Sequence, residues 1–213
     1  MPQIDHRQQL PHLYAPEVED PHLVEVPAMN FIMIDGEGDP AHARSFAQGL
    51  ETLRYLAFAL KFNLVEVRPD QAFAVMPFEA LIWQLGGPAA QPGEAAGWRW
   101  TALVMQPEAV TLEHFQATAA EVIDSSMAKM VAQVRFASFT EGRCAQVLHP
   151  GSLDDGGRSV GRLQEFIAAQ DLEPAGLHHE IYLNDPLRTR ADRRRTILRQ
   201  PVRWRSAPPA KSL

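Results

Sequence analysis

The chain of 213 residues runs through one order of elements twice, and that repetition constrains its fold more than any total does. In the first half MNFIMIDGEGDP, from Met29, is largely apolar and then breaks on Gly36, Gly38 and Pro40, the pattern of a strand followed by a turn. Between Ala43 and Phe62 the residues Phe46, Leu50, Leu53, Ala57 and Leu60 recur at spacings of four and three, which predicts a helix with one apolar stripe. Strand candidates follow in AFAVMP, in EALIWQL and, beyond a Pro/Gly/Ala-rich loop at residues 86 to 97, in WRWTALVMQP. Thr111 is placed to cap a further helix carrying Leu112, Phe115, Val122 and Ile123. The second half answers in kind. GRCAQVLHPG reads as strand and turn, Val160, Leu163, Phe166 and Ile167 mark a helix, and HHEIYL and TILRQPV read as strands. IDGEGDP corresponds to LHPGSLDD, FEALIW to HEIYLN and TALVMQP to TILRQPV, so Glu79 and Glu180 are expected at equivalent points of two units. A duplicated strand-helix-strand-strand module predicts an α+β fold: two sheets side by side about an approximate twofold, helices over one face, and a central cleft on the other.

Alternation assigns side chains to that cleft, because residues two apart on a strand share a face. With Ile181 and Leu183 as the core pair, His178, Glu180 and Tyr182 turn to the opposite face, and in EALIWQ the residues Glu79, Leu81 and Trp83 share one likewise. Both glutamates are therefore expected to line the cleft. The competing reading leaves Glu180 in solvent on an open sheet. Tryptophans in strands are core residues more often than cage walls; Trp98 is assigned to packing, and Trp83 and Trp100 to a ligand cage. On the first helix Tyr55, Phe58 and Phe62 form a second stripe, which either faces the cleft or belongs to a helix buried all round.

Several chemistries are excluded or weakened. One cysteine, Cys144, permits neither an intramolecular disulfide nor a Cys-based zinc finger; it reads as a small buried apolar residue. With no N-terminal apolar run, it argues for a reducing cytoplasm. No segment reaches the roughly 20 apolar residues of a membrane span. A formal net charge of −6 argues against direct nucleic-acid binding, and the late arginines, Arg188 through Arg205, read as a solvated loop and strand edge. His178, His179 and Glu180 invite a metal, yet alternation turns His179 away from the other two, so no metal is expected. DGEGDP lacks the ending of a phosphate loop and reads as a tight turn with Asp39 near the helix start.

The stretches LYAPEVEDPHLVEVPAMNFIMIDGEGDP, ALIW, WRWTALVMQPEAVT, VRFASFTEGRCAQVLHPG and HHEIYLNDPLRTRADRRRTILRQPV resemble the GyrI-like small-molecule-binding proteins, in their stand-alone branch without a DNA-binding domain. The resemblance implies a doublet of the SHS2 type, as in SOUL/GyrI-like folds. It divides the chain into an arm at 1–23, one binding domain at 24–206 with pseudo-repeats at about 24–127 and 130–206, and a tail at 207–213. It implies a cleft for apolar, cationic or aromatic compounds into which the glutamate of the E-I-Y strand reaches, no cofactor, and a monomer. One subfamily that the chain is similar to hydrolyses the cyclopropane ring of DNA-alkylating natural products. In that reading Glu180 is the catalytic base with Tyr55 and Tyr182 orienting water or substrate, while Trp83, Trp100, Phe58, Glu79 and His178 bind the ligand. The pattern departs at RYLAFALK, where Tyr55 is present but Phe58 replaces a second expected tyrosine, which favours binding over catalysis. A topoisomerase-inhibitor type of protein-protein module and a sensor acting through a partner are the alternatives.

Overall fold

The computed structural model describes residues 4–15, 20–84, 97–122, 127–153 and 156–205. The arm contributes two single-turn helices, α1 (His6–Gln9) and α2 (Pro11–Tyr14), before β1 (His22–Val26) and β2 (Met29–Glu37). Helix α3 (Arg44–Val67) follows, then β3 (Phe78–Gln84), β4 (Trp98–Gln106), α4 (Leu112–Ala120), α5 (Ala128–Val131) and β5 (Arg135–Phe139). The second half holds β6 (Gly142–Pro150), α6 (Gly157–Ala169), β7 (Leu172–Pro174), β8 (His178–Tyr182) and β9 (Arg195–Trp204). The anticipated stripe of α3 is buried at Phe46, Leu50, Leu53, Ala57 and Leu60. Thr111 caps α4 as expected: its hydroxyl accepts from the His114 N–H, and the His114 ring accepts from the Thr111 N–H, both at 3.3 Å.

The strands join in one antiparallel sheet of order β1-β6-β9-β8-β3-β4-β2-β5, with β7 added beside β9. This order reads the same from either end when β1, β2, β3 and β4 are exchanged with β5, β6, β8 and β9, as a twice-used strand-helix-strand-strand unit requires. Two short links then set its shape. Pro27 and Ala28 join β1 to β2, and Thr140 and Glu141 join β5 to β6, although each pair of strands lies six places apart in the order. A flat sheet would separate them by about 29 Å, whereas three Cα–Cα steps reach about 11 Å at most. The sheet must therefore roll until its ends approach, the sense its natural twist favours.

Rolling gives it an outer face and an inner one. On the outer face α3 packs over β2 and β4, with Phe46 edge-on to Trp100 at 5.1 Å, and α6 packs Leu163 and Ile167 on Ala145, Val147, Leu198 and Val202. The inner face holds Phe31, Leu103, Ile181 and Ile197 together with Leu13 and Tyr14 of the arm, which is thus part of the core. This corrects the expectation that the face without helices forms the cleft: once rolled inward, that face is filled by side chains.

Two further readings are revised. AFAVMP forms no strand; only Phe73 makes a bridge, to Ile4, while the edge strands β1 and β5, five residues each, are too short to stand out by alternation. The late arginines are not all solvated, since Arg199 is wholly buried. Ile123, the loop at 86 to 97 apart from Gly97, and the tail at 207–213 lie outside the described residues.

Candidate functional site

Register decides which carboxylate meets the cleft. In the antiparallel pair β3–β8, Glu180 stands opposite Ala80, and in β8–β9 it stands opposite Leu198, a residue of the α6 cluster on the outer face. Directly paired residues share a face, so His178, Glu180 and Tyr182 lie on the helix-bearing side with Phe78, Ala80 and Ile82. There the helices leave a gap. Between the start of α3, the Ser152–Leu153 segment and the loop after β8 lies a cavity of about 600 Å³, lined by His178, Glu180 and Tyr182 together with Phe46, Ile82 and Trp98. Leu187 and Arg194 complete its lining.

The chemistry centres on one carboxylate. Glu180, 14% exposed at its side chain, accepts the Tyr182 hydroxyl on Oε2 at 2.8 Å, and its Oε1 lies 3.6 Å from His178 Nε2. Burial, and next the Glu180 charge, push the Tyr182 phenol well above its usual pKa, so it stays a donor. One oxygen of Glu180 is thus oriented while the other faces a histidine in an aromatic-walled cavity. Such an arrangement can bind a cation, accept a ligand hydrogen bond, or take a proton from water.

Glu79 is displaced from the role anticipated for it. It stands opposite Ile181, so it faces inward, is 0% exposed and accepts the Tyr14 hydroxyl at 3.0 Å. The assumed equivalence of Glu79 with Glu180 is one residue out of step, and on a strand one residue exchanges faces. Inside, His179 lies 2.9 Å from Glu79 Oε2 and 3.0 Å from Glu141 Oε2. Arg199 donates to the same Glu141 oxygen at 3.1 Å, to Gln146 and to the Leu13 carbonyl. Two acids balance two bases there. Burial alone would lower the pKa of His179, but Glu141 and then Glu79 hold it at about 9; burial would raise Glu141, but His179 and Arg199 bring it to about 2. This network holds β8 from behind, with His178 and Glu180 on its other side. The nearby Cys144 thiol is pushed up to about 12 by burial and by Glu141, and is inert as a nucleophile.

The aromatic assignments also shift. Trp100 is 1% exposed, seated so close over Gly36 that a Cβ there would fall 2.1 Å from its ring, and it does not line the Glu180 cavity. Trp83 and Trp100 together line a different depression, about 750 Å³, beside Arg99 and Gln133. Tyr55 and Phe58 are 44% and 40% exposed on α3, and neither lines the Glu180 cavity. Trp98, Phe46 and Arg194 are the cavity residues that sequence reasoning passed over. The W-x-W spacing held a signal, since it puts Trp98 on the same face as Trp100; that the first reaches the cavity and the second the core depends on where α3 lies. Among the described residues no cluster of His, Cys, Asp and Glu is placed to hold a metal ion, and no helix is long and apolar enough to cross a membrane.

The GyrI-like small molecule binding domain family matches residues 90–203, more than half of the chain. The chain belongs to that family. This GyrI-like protein shares 30% identity with an uncharacterized conserved protein from Listeria innocua over 94% of this chain and 100% of the other, with a TM-score of 0.83. Two crystal structures of a hydrolase from Listeria innocua are similar as well. One has 28% identity, 94% and 100% coverage and a TM-score of 0.79; the other has 29% identity, 95% and 100% coverage and a TM-score of 0.80. Among curated proteins, none matches.

Proposed function

We propose that this GyrI-like protein takes up reactive aromatic or cationic compounds in the Glu180 cavity and hydrolyses those that carry a strained, activated ring, cyclopropanoid DNA-alkylating compounds being the model substrate. The observation that carries the reading is the Glu180 carboxylate, oriented by Tyr182 and walled by Phe46 and Trp98, in a cavity of about 600 Å³. That volume falls within the usual range for small-molecule sites. The similar Listeria innocua proteins described as a hydrolase support the catalytic half.

In the proposed step Glu180 takes a proton from water as the oxygen attacks the ring methylene of a spirocyclopropyl dienone. The methylene–spiro carbon bond breaks and its electron pair restores the aromatic phenolate. A proton then reaches the phenolate oxygen, for which His178, 3.6 Å from Glu180 Oε1, is the donor proposed; the net change is addition of one water. Tyr182 keeps Glu180 aimed, and the aromatic walls stack on the planar substrate. A cytoplasmic setting and a monomer fit this detoxifying role.

The test is turnover of a spirocyclopropyl dienone by the parent protein and by Glu180→Gln. The amide keeps shape and loses basicity, so the rate at saturating substrate falls by about 10²–10⁴-fold while the dissociation constant changes less than about tenfold. Equal saturated rates for the two proteins would remove Glu180 from catalysis. Absence of turnover by the parent, with binding retained, would reduce the proposal to sequestration.

A further inference from the structure

One cation lines the Glu180 cavity. Among the described lining residues Arg194 is the sole lysine or arginine, and register places its side chain on the cavity's face. In β8–β9 Thr196 stands opposite Tyr182 and Leu198 opposite Glu180. Arg194 lies two residues before Thr196 in extended backbone, φ −68° and ψ 149°, so it shares their face. Its main chain is tied on both sides, its N–H donating to the Ala191 carbonyl at 3.2 Å and its carbonyl accepting the Gly151 N–H at 2.8 Å. The side chain is half-buried, and its Nε donates to the Thr189 carbonyl at 3.1 Å. One edge of the guanidinium is thus fixed, and its two terminal nitrogens remain to donate. Its charge is felt at the Tyr182 hydroxyl, where it opposes that of Glu180. Arg54, Arg99, Arg135 and Arg199 each pair with a carboxylate, whereas among the described residues none pairs with Arg194. Asp39 on the same wall is engaged with His42 at 2.8 Å and the Ala41 N–H at 3.0 Å, and Glu180 with Tyr182 and His178.

An arginine ion-paired with Glu180 would quench the base; here base and cation stand apart in one cavity. Ring opening needs both. The electron pair of the broken methylene–spiro carbon bond ends as negative charge on the dienone oxygen, at the far end of the ring from the attacked methylene. A guanidinium N–H bonds more strongly to that oxyanion than to the carbonyl it came from, so its stabilisation grows toward the transition state. Arginine does not release its proton, which leaves the later protonation to His178. We propose that Arg194 is a further catalytic residue of this site, holding the ligand's carbonyl oxygen and stabilising the phenolate it becomes. The proposal rests on the hydrolase reading and narrows its substrates to planar compounds that carry an oxygen acceptor, in place of permanent cations, which the guanidinium repels.

4-Nitrophenol serves as a phenolate probe, because its anion is coloured and its binding needs no turnover. A spirocyclopropyl dienone should displace it from the parent protein. Bound to the parent, the probe should ionise at a pH lower by about one unit or more than when bound to Arg194→Gln, a tenfold or greater preference for the anion. Arg194→Lys, which keeps the charge and loses the planar fork, should fall between the two. With the dienone itself, Arg194→Gln should lower the saturated rate about 10²-fold, the loss expected for one oxyanion donor, and change the dissociation constant less than about tenfold. The proposal is overturned if Arg194→Gln matches the parent in anion binding or in saturated rate, if Arg194→Lys restores neither, or if the dienone does not displace the probe. A parent that binds the anion through Arg194 yet turns over no dienone would sink the hydrolase reading and leave Arg194 as the group that holds the ligand's oxygen. Turnover lost in Glu180→Gln and kept in Arg194→Gln would do the reverse.

Discussion

Glu141→Gln strikes the buried network at its most connected atom. Glu141 Oε2 meets both His179 and Arg199, at 3.0 and 3.1 Å, with all three side chains 2% exposed or less. Removing the charge leaves His179 and Arg199 facing Glu79 alone, a surplus positive charge in a dry interior. His179 stands at about 9 against an ordinary 6.5, and at about 1.4 kcal/mol per pH unit that difference is worth about 3 kcal/mol of folding stability. Glu141 holds it up more than Glu79 does, so losing that carboxylate removes the larger part of this stabilisation. Because the folded-state value is the higher one, this stability is fully present below pH 6.5 and disappears as pH rises through about 9. Glu141 itself, at about 2 against 4.5, contributes stability that is present above pH 4.5 and is lost as pH falls toward 2. In urea titrations the variant should therefore be less stable than the parent by about 3 kcal/mol at pH 6, within the range for breaking a buried ion pair. The gap should narrow as the pH passes 9 and His179 loses its charge in the parent. A gap constant between pH 6 and pH 9.5, or smaller than about 1 kcal/mol throughout, would refute the assignment of a charged His179 held by Glu141.

Gly36→Ala places a Cβ about 2 Å from the ring of Trp100, which Phe46 and Gly49 confine on its other sides; unfolding followed by tryptophan fluorescence should show a loss of about 1–3 kcal/mol. Tyr14→Phe withdraws the hydroxyl from Glu79 and should cost about 1–2 kcal/mol in chemical denaturation, with earlier proteolysis of the arm as an independent readout. Tyr182→Phe removes the donor that orients Glu180; the saturated turnover rate of the dienone should fall about tenfold with little change in the dissociation constant, and an unchanged rate would show that the 2.8 Å contact does not aim the base.

Local periodicity was enough to read the main strands, the buried stripe of α3, the cap at Thr111 and the α+β order of elements, since each is written in residues three, four or two apart. It also sent His178, Glu180 and Tyr182 to one face and His179 to the other, which the register of β3–β8–β9 reproduces. Alternation gives relative facing and nothing more. Whether a face becomes cleft or core is set by how the whole sheet rolls, and that follows from Pro27–Ala28 and Thr140–Glu141, short links whose effect exists only once strands from opposite ends of the sheet are paired. The same limit explains Glu79, whose match to Glu180 in the aligned halves was off by the one residue that exchanges inside for outside. Arg199 looked like one more surface arginine, and only a turn 58 residues away, carrying Glu141, makes its burial tolerable. Periodicity along the chain settled most of the strands and helices and which side chains travel together. The rolled sheet alone decided that Glu180 meets a cavity between two helices while Glu79 and Arg199 neutralise charge in the core, because burial and charge pairing depend on contacts between residues far apart in the chain.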